Sequence, residues 1–223
     1  MKNQTRIETA APKPGLRERK KAETRLAISD VATTLFIQRG FDRVTVAEVA
    51  EAANVSVNTI FNYFQTKEDL FFDRAEEVID APSRMVRERR PGEPVLHALR
   101  RGFRNALKGG QLFLATGHSV RAFIATIEAS PSLKARERLF FVESEQRLAR
   151  TLIDETDAAP HDPTPAVIAA MVVALASTIA RDLRARMFAD DPEAKTRLAA
   201  KKLSERGFEL LIAGFEAQTS TST

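Results

Sequence analysis

The sequence predicts an all-α chain in two units, a small amino-terminal group of short helices followed by a larger helical body. Two observations carry that expectation. The ten prolines stand at 12, 14, 82, 91, 94, 131, 160, 163, 165 and 192 and leave long proline-free spans between them. Proline suits a helix start, but inside a helix it loses a hydrogen bond and clashes with the preceding turn. In those spans apolar residues recur every three or four positions. Leu96, Leu99, Phe103, Ala106 and Leu107 form one stripe, and Ile168, Met171, Val172, Leu175, Ile179 and Leu183 another. Convincing strand-like alternation is absent. A length of 223 residues suits one or two units at roughly 150 residues each.

Taken in order, residues 1–16 read as a flexible basic arm, polar and interrupted by Pro12 and Pro14. A first helix runs from about Leu16 to Gln38, turning Leu26, Ala27, Ala32, Leu35 and Phe36 inward, and Gly40 stops it. Thr45 and Glu48 make a capping box, in which hydroxyl and carboxylate each satisfy an orphan amide. It opens a short helix over 46–53 that buries Val49 and Ala50. Asn54 tolerates the left-handed conformation needed to turn the chain. Ser56 caps the next helix, Val57 to Phe64, and Thr66 with Glu68 and Asp69 opens a fourth. Breaks at Ala81-Pro82 and between Arg90 and Pro94 divide the unit 17–81 from the body 82–217. Within the body, helix starts are signalled at Ser130-Pro131, Thr164-Pro165 and Asp191-Pro192. Residues 218–223 read as a disordered tail. The longest apolar run, Ala166 to Ala180, falls short of the roughly 20 residues a membrane span needs, so it predicts a buried helix of a soluble protein.

Composition narrows the chemistry. Without cysteine there are no disulfides, thiolate metal sites or cysteine nucleophiles, and a reducing compartment is unopposed. The start has no apolar core of a secretory signal, and the expected location is the cytoplasm, with no membrane partner. The histidines, His97, His118 and His161, include no His-Glu-x-x-His pair, and neither a phosphate loop nor Gly-x-Gly-x-x-Gly occurs. Spacing singles out no carboxylate pair among the 30 acids. No catalytic residue, cofactor or metal is therefore expected. The net charge of +4 is too small to name a partner.

Residues 17–81 hold the sharpest signals. Two short helices joined by a tight turn, preceded by a third, make a helix-turn-helix over about 45–64. At about 100° per residue, the second helix of the pair puts Val57, Ile60, Phe61 and Phe64 on one side and Asn58, Thr59, Asn62 and Tyr63 on the other. Periodicity leaves two readings open. One is an ordinary solvated amphipathic helix. The other is a recognition helix whose amides and hydroxyls enter the major groove, where Asn pairs bidentately with adenine.

The stretch from Thr45 to Phe71, TVAEVAEAANVSVNTIFNYFQTKEDLF, resembles the DNA-binding signature of the tetracycline-repressor-like (TetR) family of bacterial transcriptional regulators. The signature has a Thr-initiated helix, Ala five positions on, a Val-Ser turn, a Thr-aliphatic-aromatic-x-aromatic-Phe core and a Lys-Glu-x-Leu start to the next helix. It covers about residues 20–81, and the rest resembles the family's ligand-binding and dimerisation domain only in outline. The resemblance implies a repressor that binds a palindromic double-stranded DNA operator as a homodimer and is released by a small apolar effector. It implies that Thr45 and Thr59 contact phosphate and groove, with Ser56 capping the helix beside them. Val57, Asn58 and Asn62 fall at base-facing or near-base positions, Tyr63 at a backbone-facing one, and Lys67 at that of a phosphate-contacting Lys. Val57, in the first turn, touches a thymine methyl at one end while covering core at the other. Phe61 stands where the family usually has Tyr, so one phenol-to-phosphate hydrogen bond is missing, and Asn54 and Asn58 replace common glycines. The competing reading is a helical small-molecule-binding or scaffolding protein with a vestigial helix-turn-helix.

Charge is divided unevenly. Residues 1–43 hold ten Lys/Arg and five Asp/Glu, while residues 44–81 hold two and eight. An acidic recognition region argues against strong nonspecific binding. Phosphate attraction then falls to Lys13, Arg17, Arg19, Lys20, Lys21 and Arg25, with Arg17, Lys20 and Lys21 expected to set the salt dependence.

Residues 95–216 supply about five helices. A helix as apolar as Ala166 to Ala180 must be covered on all sides, which a two-fold four-helix bundle achieves and which packing within one subunit would also have to achieve. The resemblance implies that the last two helices form the dimer seam, through Ile168, Met171, Leu175, Ile179, Leu203, Leu211 and Phe215. Phe103, Phe113, His118, Arg121, Phe123, Ile127 and Met171 are the candidates for an effector cavity, although such a stripe is more often core.

Overall fold

In a computed structural model of the chain, residues 15–109, 120–156, 158–159 and 161–221 are described. Among them no strand occurs. The helices are α1 (Leu16–Arg39), α2 (Val46–Ala52), α3 (Val57–Phe61), α4 (Lys67–Phe71), α5 (Ala75–Arg87), α6 (Val95–Gly109), α7 (Val120–Ala129), α8 (Pro131–Thr156), α9 (Thr164–Phe188) and α10 (Glu193–Thr221), with a 3-10 turn at Phe41–Arg43.

The amino-terminal helices begin and end where side-chain chemistry tells them to. Gly40, at φ 86°, turns the chain out of α1 while its N–H donates to the Phe36 carbonyl. Thr45 accepts from the Glu48 amide and the Glu48 carboxylate accepts from the Thr45 amide. Thr66 and Asp69 repeat that reciprocal cap at α4. Asn54, at φ 53°, makes the left-handed turn between α2 and α3. The helix α3 ends at Phe61, shorter than the expected reach to Phe64, and the Tyr63 and Phe64 amides both fold back onto the Ile60 carbonyl.

Several expectations need correction. The chain does not break at Ala81-Pro82, because α5 runs through Pro82. The amide that proline lacks costs one backbone bond, and the packing of buried Ile79, Pro82, Ser83 and Val86 holds the helix across the gap. In α1, Ile28 and Thr33 join Ala32 and Phe36 inside, while Leu26 and Ala27 face solvent. The helix α9 starts at Thr164 rather than after it, with Asp162 accepting from the Thr164 amide at 2.8 Å. Finally, α10 continues to Thr221 where a tail was expected from 218. Residues 1–14 of the basic arm lie outside the described residues.

Buried apolar side chains fall into two clusters, and the line between them is not the line between residues 81 and 82. The first joins Ile28, Phe36, Val49, Ile60, Phe64, Phe71, Phe72 and Ile79 to Phe123, Ile124 and Ile127 of α7 and to Leu133 and Phe140 of α8. The second joins Val86 of α5, Leu99 and Phe103 of α6, Leu148 and Leu152 of α8, Val172, Ile179 and Leu183 of α9, and Phe208 and Leu211 of α10. Helices α5 and α8 therefore place buried residues in both, and Met187 of α9 packs against the first as well. The first cluster is locked by aromatic geometry: Phe71 stacks on Phe123 at 4.2 Å and Phe72 meets Phe140 edge-on at 4.9 Å. Ser130, at the α7–α8 corner, donates to Asp42 of the 3-10 turn at 2.8 Å. In the second cluster α9 and α10 approach closely at Gly207, where a Cβ would lie 2.3 Å from Leu175.

Candidate nucleic-acid interface

The helix α3 is held by one edge. Ile60 and Phe64 are each 1% exposed and anchor it in the first core. On the far side Asn58 and Asn62 are exposed, and no side-chain hydrogen bond engages either of them among the described residues. Ser56 Oγ accepts from the Thr59 amide at 3.0 Å and pairs with Thr59 Oγ1 at 2.8 Å. These two hydroxyls thus serve the helix start first, and Thr45 likewise caps α2 from an exposed position. Val57 is 39% exposed in the first turn.

Phe61 is not on the inner side where periodicity placed it, for it is 52% exposed. In so short a helix Ile60 and Phe64 fill the core contact, and Phe61, turned about 100° from Ile60, emerges on the flank. Arg25 is also reassigned. It is no free phosphate contact but a brace, donating to Asp73 at 2.5 Å and to the Tyr63 carbonyl at 2.5 Å while its guanidinium lies over the Phe64 ring. Tyr63 is half-buried against the first core. Lys67, expected at phosphate, instead donates to the Phe41 carbonyl at 2.6 Å and sits over the Phe41 ring. Burial pushes its ammonium down from the ordinary lysine range. Arg17, Lys20 and Lys21 are exposed on the first turns of α1.

The acidity of residues 44–81 is largely answered by arginines, most of them from outside that segment. Glu48 pairs with Arg39, Asp73 with Arg25, Glu77 with Arg74, and Asp80 with Arg87. From α8, Arg136 reaches Asp69 and Arg147 reaches Glu76 and Asp80. Exposed pairs like these contribute little stability, but they neutralise charge that would repel a duplex. The Glu48 carboxyl is held down to about 2, first by the Thr45 backbone amide and then by Arg39. Burial raises the Asp73 carboxyl against the pull of Arg25.

The expected effector residues are not gathered around one space. Phe103 lies in the second core beside Phe208, whereas Phe123 and Ile127 lie in the first. Arg121 is on the surface, paired with Asp190, and Met171 faces outward. Phe113 and His118 lie outside the described residues. Of the expected seam, Ile179 and Leu211 are corrected, being buried within the subunit, while Ile168, Leu175 and Leu203 are half-buried against the same core. Phe215 is half-buried. The reason is an offset of one position, about 100° on a helix. Val167, Met171, Ala174 and Thr178 form a second stripe that faces solvent. That interleaved stripe was the available signal in the sequence. The most apolar stretch of α9 has a mean hydropathy of 1.8 and only 28% of it is buried.

Comparison with known proteins bears on this arrangement. The family model described as "Bacterial regulatory proteins, tetR family" matches residues 28–73. The HTH-type transcriptional regulator TcmR of Streptomyces glaucescens is 30% identical over 177 residues, 76% of each chain. The HTH-type transcriptional regulator AcrR of Shigella flexneri is 36% identical over 76 residues, 33% of this chain and 35% of its own. Among solved structures, native NalD, the secondary repressor of the MexAB-OprM multidrug efflux pump in Pseudomonas aeruginosa, superposes with a TM-score of 0.55 at 20% identity, covering 84% of this chain and 96% of its own. The complex of SmeT with triclosan gives 0.55 at 18% identity, covering 86% and 91%.

Proposed function

The chain belongs to the TetR family of bacterial transcriptional regulators, and from that premise we propose that it is a ligand-responsive repressor that binds a palindromic operator as a homodimer. The observation that carries the reading is the placement of α3, pinned by Ile60 and Phe64 with Asn58 and Asn62 exposed and unengaged on the opposite side. Those amides read base edges, most naturally adenine. Thr45, Ser56, Thr59 and Tyr63 shape and border the face, and Arg17, Lys20 and Lys21 attract phosphate from α1.

A second copy would cover the outer stripe of α9, Val167, Met171, Ala174 and Thr178, together with Leu203 and Leu210 of α10. Met171 is 42% and Leu210 59% exposed in the single subunit, and a helix this apolar needs cover. An isologous pairing of these helices builds a four-helix bundle and sets two α3 helices at successive major grooves.

An effector acts by binding one subunit arrangement better than the other. Ser83, wholly buried where α5 passes from one core to the other, has an Oγ without a partner, and it is a polar atom that such a molecule would satisfy. The solved complex of SmeT with triclosan supports a small-molecule effector for this fold. Footprinting of genomic fragments with the purified chain tests the reading. An inverted repeat protected over two half-sites is the expected result; an unsymmetrical footprint of monomer width contradicts it. A small molecule that raises the melting temperature without changing operator affinity would contradict the coupling.

A further inference from the structure

We propose that Phe61 is a specificity-determining residue of α3 that reads thymine methyl groups beside Val57, an inference that rests on the operator-binding reading above. Phe61 is 52% exposed and belongs to neither core, so about half of it is open to solvent in the free subunit. Its neighbour one turn back, Val57, is 39% exposed. Together they form a short apolar strip along the flank of the face that carries Asn58 and Asn62, with Phe61 turned about 60° from Asn58.

Neither side chain has a hydrogen-bonding atom, so neither can take a phosphate oxygen or a base amide. The hydroxyls nearest them, Ser56 and Thr59, are engaged with each other. The one apolar feature on a major-groove edge is the thymine 5-methyl group, which attracts apolar side chains. Side chains one helical turn apart have Cβ atoms about 5–6 Å apart, between one and two base steps of about 3.4 Å. The strip therefore spans methyl groups on adjacent or next-but-one base pairs of each half-site.

The test uses the full chain and a duplex carrying the footprinted site, with each thymine exchanged singly for uracil, which removes the methyl and keeps the pairing. Wild-type affinity is expected to fall about three- to five-fold at one or two positions per half-site. Phe61→Ala is expected to lose the sensitivity at one of those positions and to retain any that belongs to Val57. Its melting temperature is expected to stay at the wild-type value, since the ring lies outside both cores. A flat uracil profile for the wild type, or a profile of Phe61→Ala identical to the wild type, overturns the assignment while leaving the operator reading intact. A chain that leaves no footprint on any genomic fragment overturns both, and so distinguishes the two failures.

Discussion

The two cores of the subunit are made of different material and closed in different ways. The first is aromatic, with Phe36, Phe41, Phe64, Phe71, Phe72, Phe123 and Phe140, and its rings meet in stacked and edge-on pairs. The second is mainly aliphatic around one edge-on pair, Phe103 with Phe208 at 5.2 Å. The first is closed by α7 and the front half of α8, so α3 is not mounted on a small detached domain. The second is left open along α9. Helices α5 and α8 place buried residues in both cores, and Arg147 of α8 clasps Glu76 and Asp80 of α5 where they cross. Met187 of α9 also packs against the first core, so no free linker separates the open seam from it.

The sharpest way to break this picture is Phe71→Ala. The ring is buried and stacked on Phe123, and truncation is expected to cost about 3–5 kcal/mol in a denaturant titration and to abolish operator binding. A loss below about 1 kcal/mol would show that α7 and α4 do not share a core. A smaller effect, on the other core, is expected from Gly207→Ala, whose new methyl meets Leu175 of α9. It is expected to cost about 1–3 kcal/mol and to weaken dimerisation in sedimentation, while hydrogen exchange in α2 and α3 stays at the wild-type rate. Thr45→Ala removes the α2 cap and is expected to cost about 1 kcal/mol. Faster exchange should then be confined to α2, with α9 unaffected.

The smallest effect is one of pH. In the folded chain the Glu48 carboxyl sits at about 2, below its ordinary value of 4.5. A carboxyl depressed on folding stabilises the folded state fully above the unfolded value and loses that contribution as pH falls toward the folded one. The α2 cap should therefore weaken between pH 4.5 and about 2, as followed by the α2 amide shifts, and Glu48→Gln should remove that titration.

Local chemistry was legible in the sequence because it acts over three or four residues. The capping pairs Thr45–Glu48 and Thr66–Asp69, the left-handed Asn54 and the Ser56 cap all form as their residue types require. Long-range angles were not legible. Periodicity grouped Phe61 with Ile60 and Phe64, but how far a flank is covered depends on the neighbouring helices. Arg25 read as one cation of a basic run, yet Asp73 and the Tyr63 carbonyl, distant in sequence, capture it. Pro82 read as a stop, and only the packing of α5 shows that its lost bond is tolerated. In α9 the inward and outward stripes differ by one position, too little for composition to distinguish. The acidic recognition region looked unfavourable for DNA because its partners on α8, Arg136 and Arg147, lie some 70 residues away.

The central claim is that α3 offers Asn58 and Asn62 to base edges while Ile60 and Phe64 hold it in place. Its most direct test is the ratio of operator to nonspecific DNA affinity, at one fixed salt concentration, for the wild type and for the Asn58→Ala/Asn62→Ala variant. The ratio is expected to fall at least about tenfold, with nonspecific affinity and melting temperature at wild-type values. An unchanged ratio would contradict the claim.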